Sequence, residues 1–329
     1  MEAASPPAAF TGADTPPPSH LRIGSLNVHG FKDAKGRNRT LGTVARLLDA
    51  NRLDIIALQE ARWHDVVELA RELGNMFWVT SRSTALLSRF PLRTTDEYGC
   101  GVGNKNFTAP HFHVSKIKRS GCEARHARAN AMLPPELGGG ALELVSIHLD
   151  HVAEPRRLAQ LQQLMWHVTT TEAATADSAV APGPRAKSAS SDGGRCRRTA
   201  KPPADSTGSL SDAVWMGDFN ALARADYDEA EWQEVAAVRA RGNWEAPVSE
   251  VTGAITGETS RGGLGFVDAR VAAADAPGPR STCRYDTRID YIFLGQGVAR
   301  RWRVAACEHV VAIPAVTDHN LVVATLERA

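Results

Sequence analysis

The first part of the chain alternates short apolar segments with amphipathic ones. Residues 21–28 alternate apolar and other side chains as a half-buried strand does, and residues 54–58 form a continuous apolar strand. Residues 40–50 carry apolar side chains at helical spacing, and a second amphipathic helix is predicted over residues 66–73 before another strand at residues 85–88. Strands that alternate with helices in this way favour an α/β architecture.

The length of the chain is compatible with one large domain. Its 329 residues exceed the usual domain size, but α/β folds of about 250 residues remain single domains. We predict a disordered leader rich in proline and alanine at residues 1–20, a single domain at residues 21–329, and a low-complexity disordered insertion within it at about residues 173–211. The insertion offers too few apolar side chains to offset the entropy lost on ordering.

Charge and hydropathy exclude several classes of protein. The 38 basic and 37 acidic residues leave a formal net charge of +1, which argues against a surface devoted throughout to nucleic acid. Five scattered cysteines without a CxxC pair indicate free thiols rather than a disulfide framework or a zinc site. No segment approaches the ~20 apolar residues of a transmembrane helix, and no signal-peptide pattern is present. We therefore expect an intracellular protein of the cytoplasm or nucleus.

An acid and an amide stand two positions apart at the end of the apolar run in residues 214–220. On an extended backbone, Asp218 and Asn220 would project to the same side. Both residue types also favour turns, so a simple turn after a core strand explains the pattern as well as a site for a water molecule and an anion.

Polar residues end several other predicted strands. Asn27 closes the first strand, and Glu60 follows the second, where an unpaired charge is costly and calls for a metal ion or an arginine. His148 and Asp150 share one face of the strand predicted at residues 142–151. Acids near or before the last strands follow the same pattern: Asp290 lies in residues 288–294, and Asp318 with His319 precedes residues 321–326. An acid next to a histidine suits both metal binding and proton transfer.

Basic residues are interleaved with aromatic ones in residues 99–130. Such a composition can line a groove for a phosphate backbone, but a solvated loop and an edge strand are its more common origin. Arg125 and Arg128 in this segment, and Arg157 on the helix predicted after residue 150, are the candidate substrate-binding residues.

Together and in chain order, these motifs resemble those of the endonuclease/exonuclease/phosphatase superfamily, also called DNase I-like. Within this superfamily, the residues of the motifs are most similar to those of uncharacterised DNase I-like proteins of plants and microbes. The resemblance spans residues 21–326 and implies a four-layered α/β sandwich, in which two mixed β-sheets pack face to face with helices outside. It rests on Asn27, Leu58-Gln59-Glu60, Ile147-His148-Leu149-Asp150, Gly217-Asp218-Phe219-Asn220, Ile289-Asp290-Tyr291-Ile292-Phe293 and Thr317-Asp318-His319.

The resemblance also implies a hydrolase of phosphate esters that depends on a divalent metal, usually Mg²⁺, with Mn²⁺ as a substitute. By this resemblance Glu60 is the chief metal ligand with Asn27 beside it, and Asp318 completes the metal or water network. Mg²⁺ prefers oxygen ligands and keeps several waters, so one or two carboxylates are sufficient.

The resemblance assigns catalytic roles to five further residues. His148 is implied to contact a phosphate oxygen, Asp218 to position or deprotonate the attacking water, and Asn220 to orient that water and the phosphate. Asp290 is implied to hold His319, which stabilises the charged transition state. Whether Asp218 or His319 acts as the general base is left open.

The substrate class is also left open by the motifs. A nuclease that acts on DNA or RNA is the leading interpretation, and hydrolysis of a phospholipid or a small phosphate ester, as by a sphingomyelinase, is the alternative. A non-catalytic scaffold that keeps the fold is a third interpretation, disfavoured because unpaired polar residues are costly to bury. We expect a monomer whose partner is a phosphate-ester substrate, with nucleic acid as the leading candidate.

Overall fold

The computed structural model describes residues 20–94, 125–177, 210–258 and 263–329. The predicted leader up to residue 19, residues 99–124 of the basic segment and residues 178–209 of the predicted insertion lie outside these ranges.

Two six-stranded mixed sheets form the centre of the molecule. The first has the order β11-β12-β1-β2-β4-β3 and the second the order β5-β6-β7-β8-β10-β9, numbered along the chain. Each sheet has one parallel pair of strands, β1 with β2 in the first and β7 with β8 in the second, and the other pairs are antiparallel. The bounds are β1 His20–Asn27, β2 Ile55–Gln59, β3 Phe77–Ser81, β4 Thr84–Ser88, β5 Leu92–Thr94, β6 Arg125–Met132, β7 Ala141–His148, β8 Ala213–Asp218, β9 Val267–Asp268, β10 Asp290–Leu294, β11 Trp302–Val310 and β12 Leu321–Arg328.

The two sheets pack face to face because apolar side chains alternate along their strands. Ile23 and Ala57 of the first sheet meet Leu144 and Met216 of the second in one buried cluster. Since successive side chains of a strand point to opposite faces, the residues between them face outward and require a cover of helices.

Helices cover the outer face of each sheet. The helices are α1 Leu41–Ala50, α2 Trp63–Glu72, α3 Glu154–Asp177, α4 Glu229–Arg241, α5 Glu250–Thr256, α6 Ala269–Ala272 and α7 Gln296–Arg301. Val44 of α1 and Leu69 of α2 pack on the first sheet, whereas Leu161 of α3 and Ile255 of α5 pack on the second. The predicted four-layered α/β sandwich is thereby confirmed. No helix within the described ranges is both long enough and apolar enough to cross a bilayer.

Both ends of the predicted insertion differ from the structure. The α3 helix continues to Asp177, past the predicted start at residue 173, and the alanines in this stretch are strong helix formers. At the other end, Leu210 is already buried in the core of the second sheet, before the predicted end at residue 211. The prediction of an edge strand in the basic segment is wrong for β6, because this strand lies between β5 and β7 in the second sheet.

Candidate active site

Three neighbouring strands bring three ionisable residues to one level of the second sheet. His148 of β7 lies opposite Asp218 of β8, and Asp218 lies opposite Asp290 of β10. Residues that face each other in register project from the same face. Gly217 permits the close approach of β8 to β7, because a Cβ atom there would lie 1.9 Å from the Ile147 carbonyl oxygen.

The buried carboxylate of Asp218 lies at the centre of the site. Its Oδ1 accepts a hydrogen bond of 2.9 Å from the backbone N–H of Asn220. Its Oδ2 accepts one of 3.0 Å from Nδ2 of Asn27 and lies 3.8 Å from Nε2 of both His148 and His319. One oxygen therefore fixes the carboxylate, and the other faces side chains from three different segments.

The turn after β8 is part of this candidate site. The two interpretations of residues 214–220, a turn and a site, therefore do not exclude each other. Asn220 has a positive φ of 51°, which asparagine tolerates better than most residues. Its Nδ2 donates a 3.1 Å hydrogen bond to the Leu149 carbonyl at the end of β7. The turn thus brings Asn220 to the site, although β8 already ends at Asp218 and strand alternation does not reach it.

Asn27 and Glu60 enter from the first sheet. Nδ2 of Asn27 lies 3.3 Å from Oε1 of Glu60, so it donates to the carboxylates of both Glu60 and Asp218. Oδ1 of Asn27 accepts a 3.0 Å hydrogen bond from the backbone N–H of His29. Glu60 has a φ of 54°, an uncommon conformation for a non-glycine residue and one that concentrates at functional sites.

A buried acid–histidine pair lies on the other side of Asp218. Nδ1 of His319 donates to Oδ2 of Asp290 at 2.8 Å, which directs Nε2 towards Asp218. Burial alone would lower the pKa of His319, but the Asp290 and Asp218 carboxylates outweigh it and hold that pKa well above its usual value. Burial also raises the pKa of Asp290, against the effect of His319. The pair therefore favours an imidazolium beside a carboxylate, because two carboxylates face one imidazole.

His148 is the second histidine of the site and differs in charge from the first. Burial lowers its pKa, which favours the neutral imidazole. Its Nδ1 is buried and has no hydrogen-bond partner among the described residues, and such an atom calls for an explanation. Arg125, which is exposed, lies opposite His148 in the β6–β7 register and lowers its pKa further.

Asp318 lies towards the rim of the site. Its Oδ1 is 3.7 Å from Nδ1 of His29, and its Oδ2 is 3.7 Å from Nη1 of Arg284. The preceding Thr317 donates a 2.9 Å hydrogen bond from Oγ1 to the Asn27 carbonyl, which ties this loop to the end of β1.

Of the three predicted substrate arginines, the structure brings Arg125 to the level of His148. Arg128 lies on the opposite face of β6 and forms a buried ion pair with Glu143. Arg157 is also buried and pairs with Glu154 at 2.7 Å and with Glu245. Both of these arginines are taken up by buried ion pairs within the fold, an arrangement that the sequence pattern does not distinguish from substrate binding.

A polar layer separates the site from the apolar core, and sequence reasoning missed most of it. Nε2 of Gln59 in the first sheet donates a 3.2 Å hydrogen bond to Oγ of Ser146 in the second. Ser146 in turn donates to the Leu58 carbonyl at 3.1 Å, and Ser25 lies within 3.5 Å of the Gln59 amide. Serines on inward-facing strand positions next to a buried glutamine are the sequence signal that identifies this layer.

The donor set of the site fits a divalent cation. Among the described residues, one atom each of Asp218, Asp290 and His319 lies within 4.8 Å of the others. The two carboxylates supply the oxygen ligands, because the imidazolium form of His319 has no free lone pair. Oδ1 of Asp290 is buried without a hydrogen-bond partner in the described part of the chain. Glu60 adds a further carboxylate beside Asp218 through their shared donor Asn27, and oxygen-rich sites of this kind suit Mg²⁺.

Comparison with known proteins places the chain in a family. The family model described as the Endonuclease/Exonuclease/phosphatase family matches residues 24–319. The chain belongs to this family. Membership of this family supports a general activity, the hydrolysis of phosphate esters. No match was found among curated proteins.

Solved structures similar to the chain share its fold at low sequence identity. An endonuclease/exonuclease/phosphatase from Bacteroides vulgatus is 16% identical with a TM-score of 0.56, covering 94% of this chain and 99% of that one. One from Beutenbergia cavernae is 15% identical with a TM-score of 0.53, covering 94% and 72%. A mannosyl-6-phosphatase from Bacteroides thetaiotaomicron is 13% identical with a TM-score of 0.50, covering 93% and 99%. These likenesses concern the fold alone.

Proposed function

We propose that the chain is a divalent-metal-dependent phosphodiesterase that cleaves nucleic acid by in-line attack of water. The observation that carries this proposal is the convergence of Asn27, His148 and His319 on Oδ2 of Asp218. A carboxylate with one oxygen fixed by a backbone N–H and the other facing the histidines can orient a water molecule and accept its proton.

The two histidines serve different purposes because their charges differ. His319, held positive between Asp290 and Asp218, stabilises the negative charge that develops on the phosphate. His148, which is neutral, donates a hydrogen bond to a phosphate oxygen through the ring nitrogen that carries its proton. Asn220, fixed by its hydrogen bond to Leu149, aligns the phosphate with the water.

Glu60, with Asp318, would hold the divalent ion, which would supply charge neutralisation at the phosphate and would lower the pKa of bound water. In the present geometry Asn27 offers its amide nitrogen to Glu60 and Asp218, so it keeps the two carboxylates together rather than directing an oxygen at a cation. The chief role in metal binding therefore falls to Glu60.

Nucleic acid is favoured over a small phosphate ester by the position of Arg125. This exposed residue lies opposite His148 in the β6–β7 register and acts electrostatically on it, so it can bind a phosphate next to the one being cleaved. A substrate with one phosphate offers it no such partner.

A panel of substrates with added Mg²⁺ tests this proposal. It comprises single- and double-stranded DNA, RNA, sphingomyelin, a chromogenic diester and a hexose phosphate, each with the wild type and with Asp218→Ala. We expect cleavage of nucleic acid and of the chromogenic diester by the wild type only. Cleavage of sphingomyelin or the monoester alone would overturn the substrate assignment, and no hydrolysis of any member would overturn the proposal as a whole.

A further inference from the structure

Two exposed aromatic side chains contact each other at the edge of the site. The rings of Trp244 and Tyr285 lie 4.9 Å apart between centroids at an interplanar angle of 73°. They are 47% and 50% exposed, whereas large apolar side chains in a folded protein are mostly covered. The guanidinium of Arg284 lies 4.9 Å from the centre of the Tyr285 ring. We call Trp244, Arg284 and Tyr285 the aromatic rim.

One side of the aromatic rim is attached to the segment that carries Asp318 and His319. The backbone N–H of Arg284 donates a 3.0 Å hydrogen bond to the Asp318 carbonyl, and Cys283 forms a β-bridge with His319. The Arg284 guanidinium also lies 3.7 Å from the Asp318 carboxylate. Tyr285 is therefore only a few residues removed from the backbone that positions the charged histidine.

The other side is attached to the segment that carries His148. Glu245, next to Trp244, pairs with Arg157 and accepts a hydrogen bond from the backbone N–H of Glu154 at the start of α3. Arg157 in turn donates a 3.2 Å hydrogen bond to the carbonyl of Asp150, two residues after His148. The aromatic rim thus joins the two segments that supply the histidines of the site.

The aromatic rim is also held in place before any ligand binds. The backbone N–H of Trp244 donates a 2.9 Å hydrogen bond to the Arg239 carbonyl at the end of α4. Nη2 of Arg284 donates to the Tyr285 hydroxyl at 2.7 Å. Fixed aromatic rings beside a cationic side chain are the elements that bind successive bases and the backbone of single-stranded nucleic acid.

We infer that the aromatic rim stacks on an unpaired nucleobase next to the phosphate that His148 and His319 would contact. This inference rests on the proposed phosphodiesterase function and specifies its substrate as single-stranded. Stacked bases of an intact duplex expose their edges rather than their faces, so a base must be unpaired to lie on Trp244 or Tyr285. The Arg284 guanidinium contacts both the Tyr285 ring and the Asp318 carboxylate, so it can bind a phosphate between the stacked base and the scissile phosphate.

Binding measurements with and without bases test this inference. Fluorescence anisotropy of a labelled single-stranded oligonucleotide is compared with that of an abasic oligonucleotide of equal length, both in an Asp218→Asn background that prevents cleavage. We expect Trp244→Ala and Tyr285→Ala each to weaken binding of the base-containing strand by about 5- to 150-fold, the range found for base–aromatic stacking by alanine substitution. Binding of the abasic strand should be unchanged by either substitution.

Trp244→Phe is the matched control, because it keeps an aromatic ring at the same position and should retain most of the affinity. Equal affinity of the alanine variants and their parent for the base-containing strand would overturn the inference, as would equal losses on both strands. If Trp244→Ala and Tyr285→Ala variants that keep Asp218 still cleave single-stranded substrate, the inference fails but the proposed function stands. Failure of the Asp218→Asn parent to bind any nucleic acid, together with failure of the wild type to cleave any, would instead overturn both.

Discussion

Nδ1 of His319 lies 2.8 Å from Oδ2 of Asp290, and this buried pair joins the loop before β12 to the first residue of β10. The backbone of Asp290 is also held in place, since Oγ1 of Thr282 accepts a 3.0 Å hydrogen bond from its N–H. The pair determines that Nε2 of His319 faces Asp218, and it favours a positive charge on that ring.

Replacement of the acid of this pair should impair turnover more than binding. We expect Asp290→Asn to lower kcat by at least ~100-fold with little change in KM, because the loss of the acid charge alters the tautomer and charge of His319. Steady-state kinetics on a chromogenic diester measures this. Asp49→Asn, on the exposed side of α1, is the control and should leave both parameters unchanged. A near-normal kcat in Asp290→Asn would refute the positioning role.

Asp218 and His319 should act as one unit. Asp218→Ala and His319→Ala should each lower kcat by at least ~100-fold, the scale of acid–base and electrostatic catalysis. Because their side chains face each other at 3.8 Å, the double variant should lose far less than the product of the two single losses. Multiplicative losses would show that the two residues act independently.

Arg288 is the residue whose loss should most destabilise the fold near the site. Its buried guanidinium pairs with Asp226 and Asp268, both at 2.7 Å, and Arg288→Met would leave two carboxylates without their partner. We expect a loss of about 3–5 kcal/mol in the free energy of unfolding, measured by urea denaturation. Arg303→Met removes an exposed pair with Glu327 and should cost no more than about 1 kcal/mol. Equal effects of the two substitutions would contradict the ion-pair account.

His309 should make stability depend on pH. Burial, with a smaller effect of Arg270, lowers its pKa to about 4 from the usual 6.5. The unfolded chain therefore binds a proton between pH 6.5 and 4 that the folded chain does not, so this contribution is complete above pH 6.5 and is lost as the pH falls towards 4. The loss amounts to about 3 kcal/mol at most.

His309→Asn tests this dependence, because its amide can keep the 2.8 Å hydrogen bond that Nδ1 makes to the Pro279 carbonyl without a group that titrates. Urea denaturation at several pH values should show a flatter dependence between pH 4 and 6.5 in the variant than in the wild type. Parallel curves would contradict the assignment.

The elements and motifs with strong local signals could be predicted from the sequence. The α1 helix has clear 3.6-residue periodicity, and the strand ends at Asn27, His148 and Asp218 could be recognised because apolar runs stop there at polar residues. The long strand β11 is not apparent from the sequence, since polar and small residues interrupt its apolar positions and a bulge shifts its register.

Features that depend on distant residues could not be predicted. Whether Arg125 or Arg128 faces the site depends on the register of β6 against β7, which local composition does not determine. The contact between Trp244 and Tyr285 arises from two separate loops that only the folded sheets bring together. Glu60 carries no local sign of its positive φ, because glutamate is rare in that conformation.

Metal dependence of phosphodiester hydrolysis tests the central claim most directly. Hydrolysis of a chromogenic diester is followed during Mg²⁺ titration of EDTA-treated protein, with circular dichroism to monitor the fold. We predict no activity in EDTA, an intact fold, recovery with Mg²⁺ or Mn²⁺, and at least ~10-fold more Mg²⁺ for half-maximal activity in Glu60→Gln than in the exposed control Glu68→Gln. Full activity in EDTA would contradict the account.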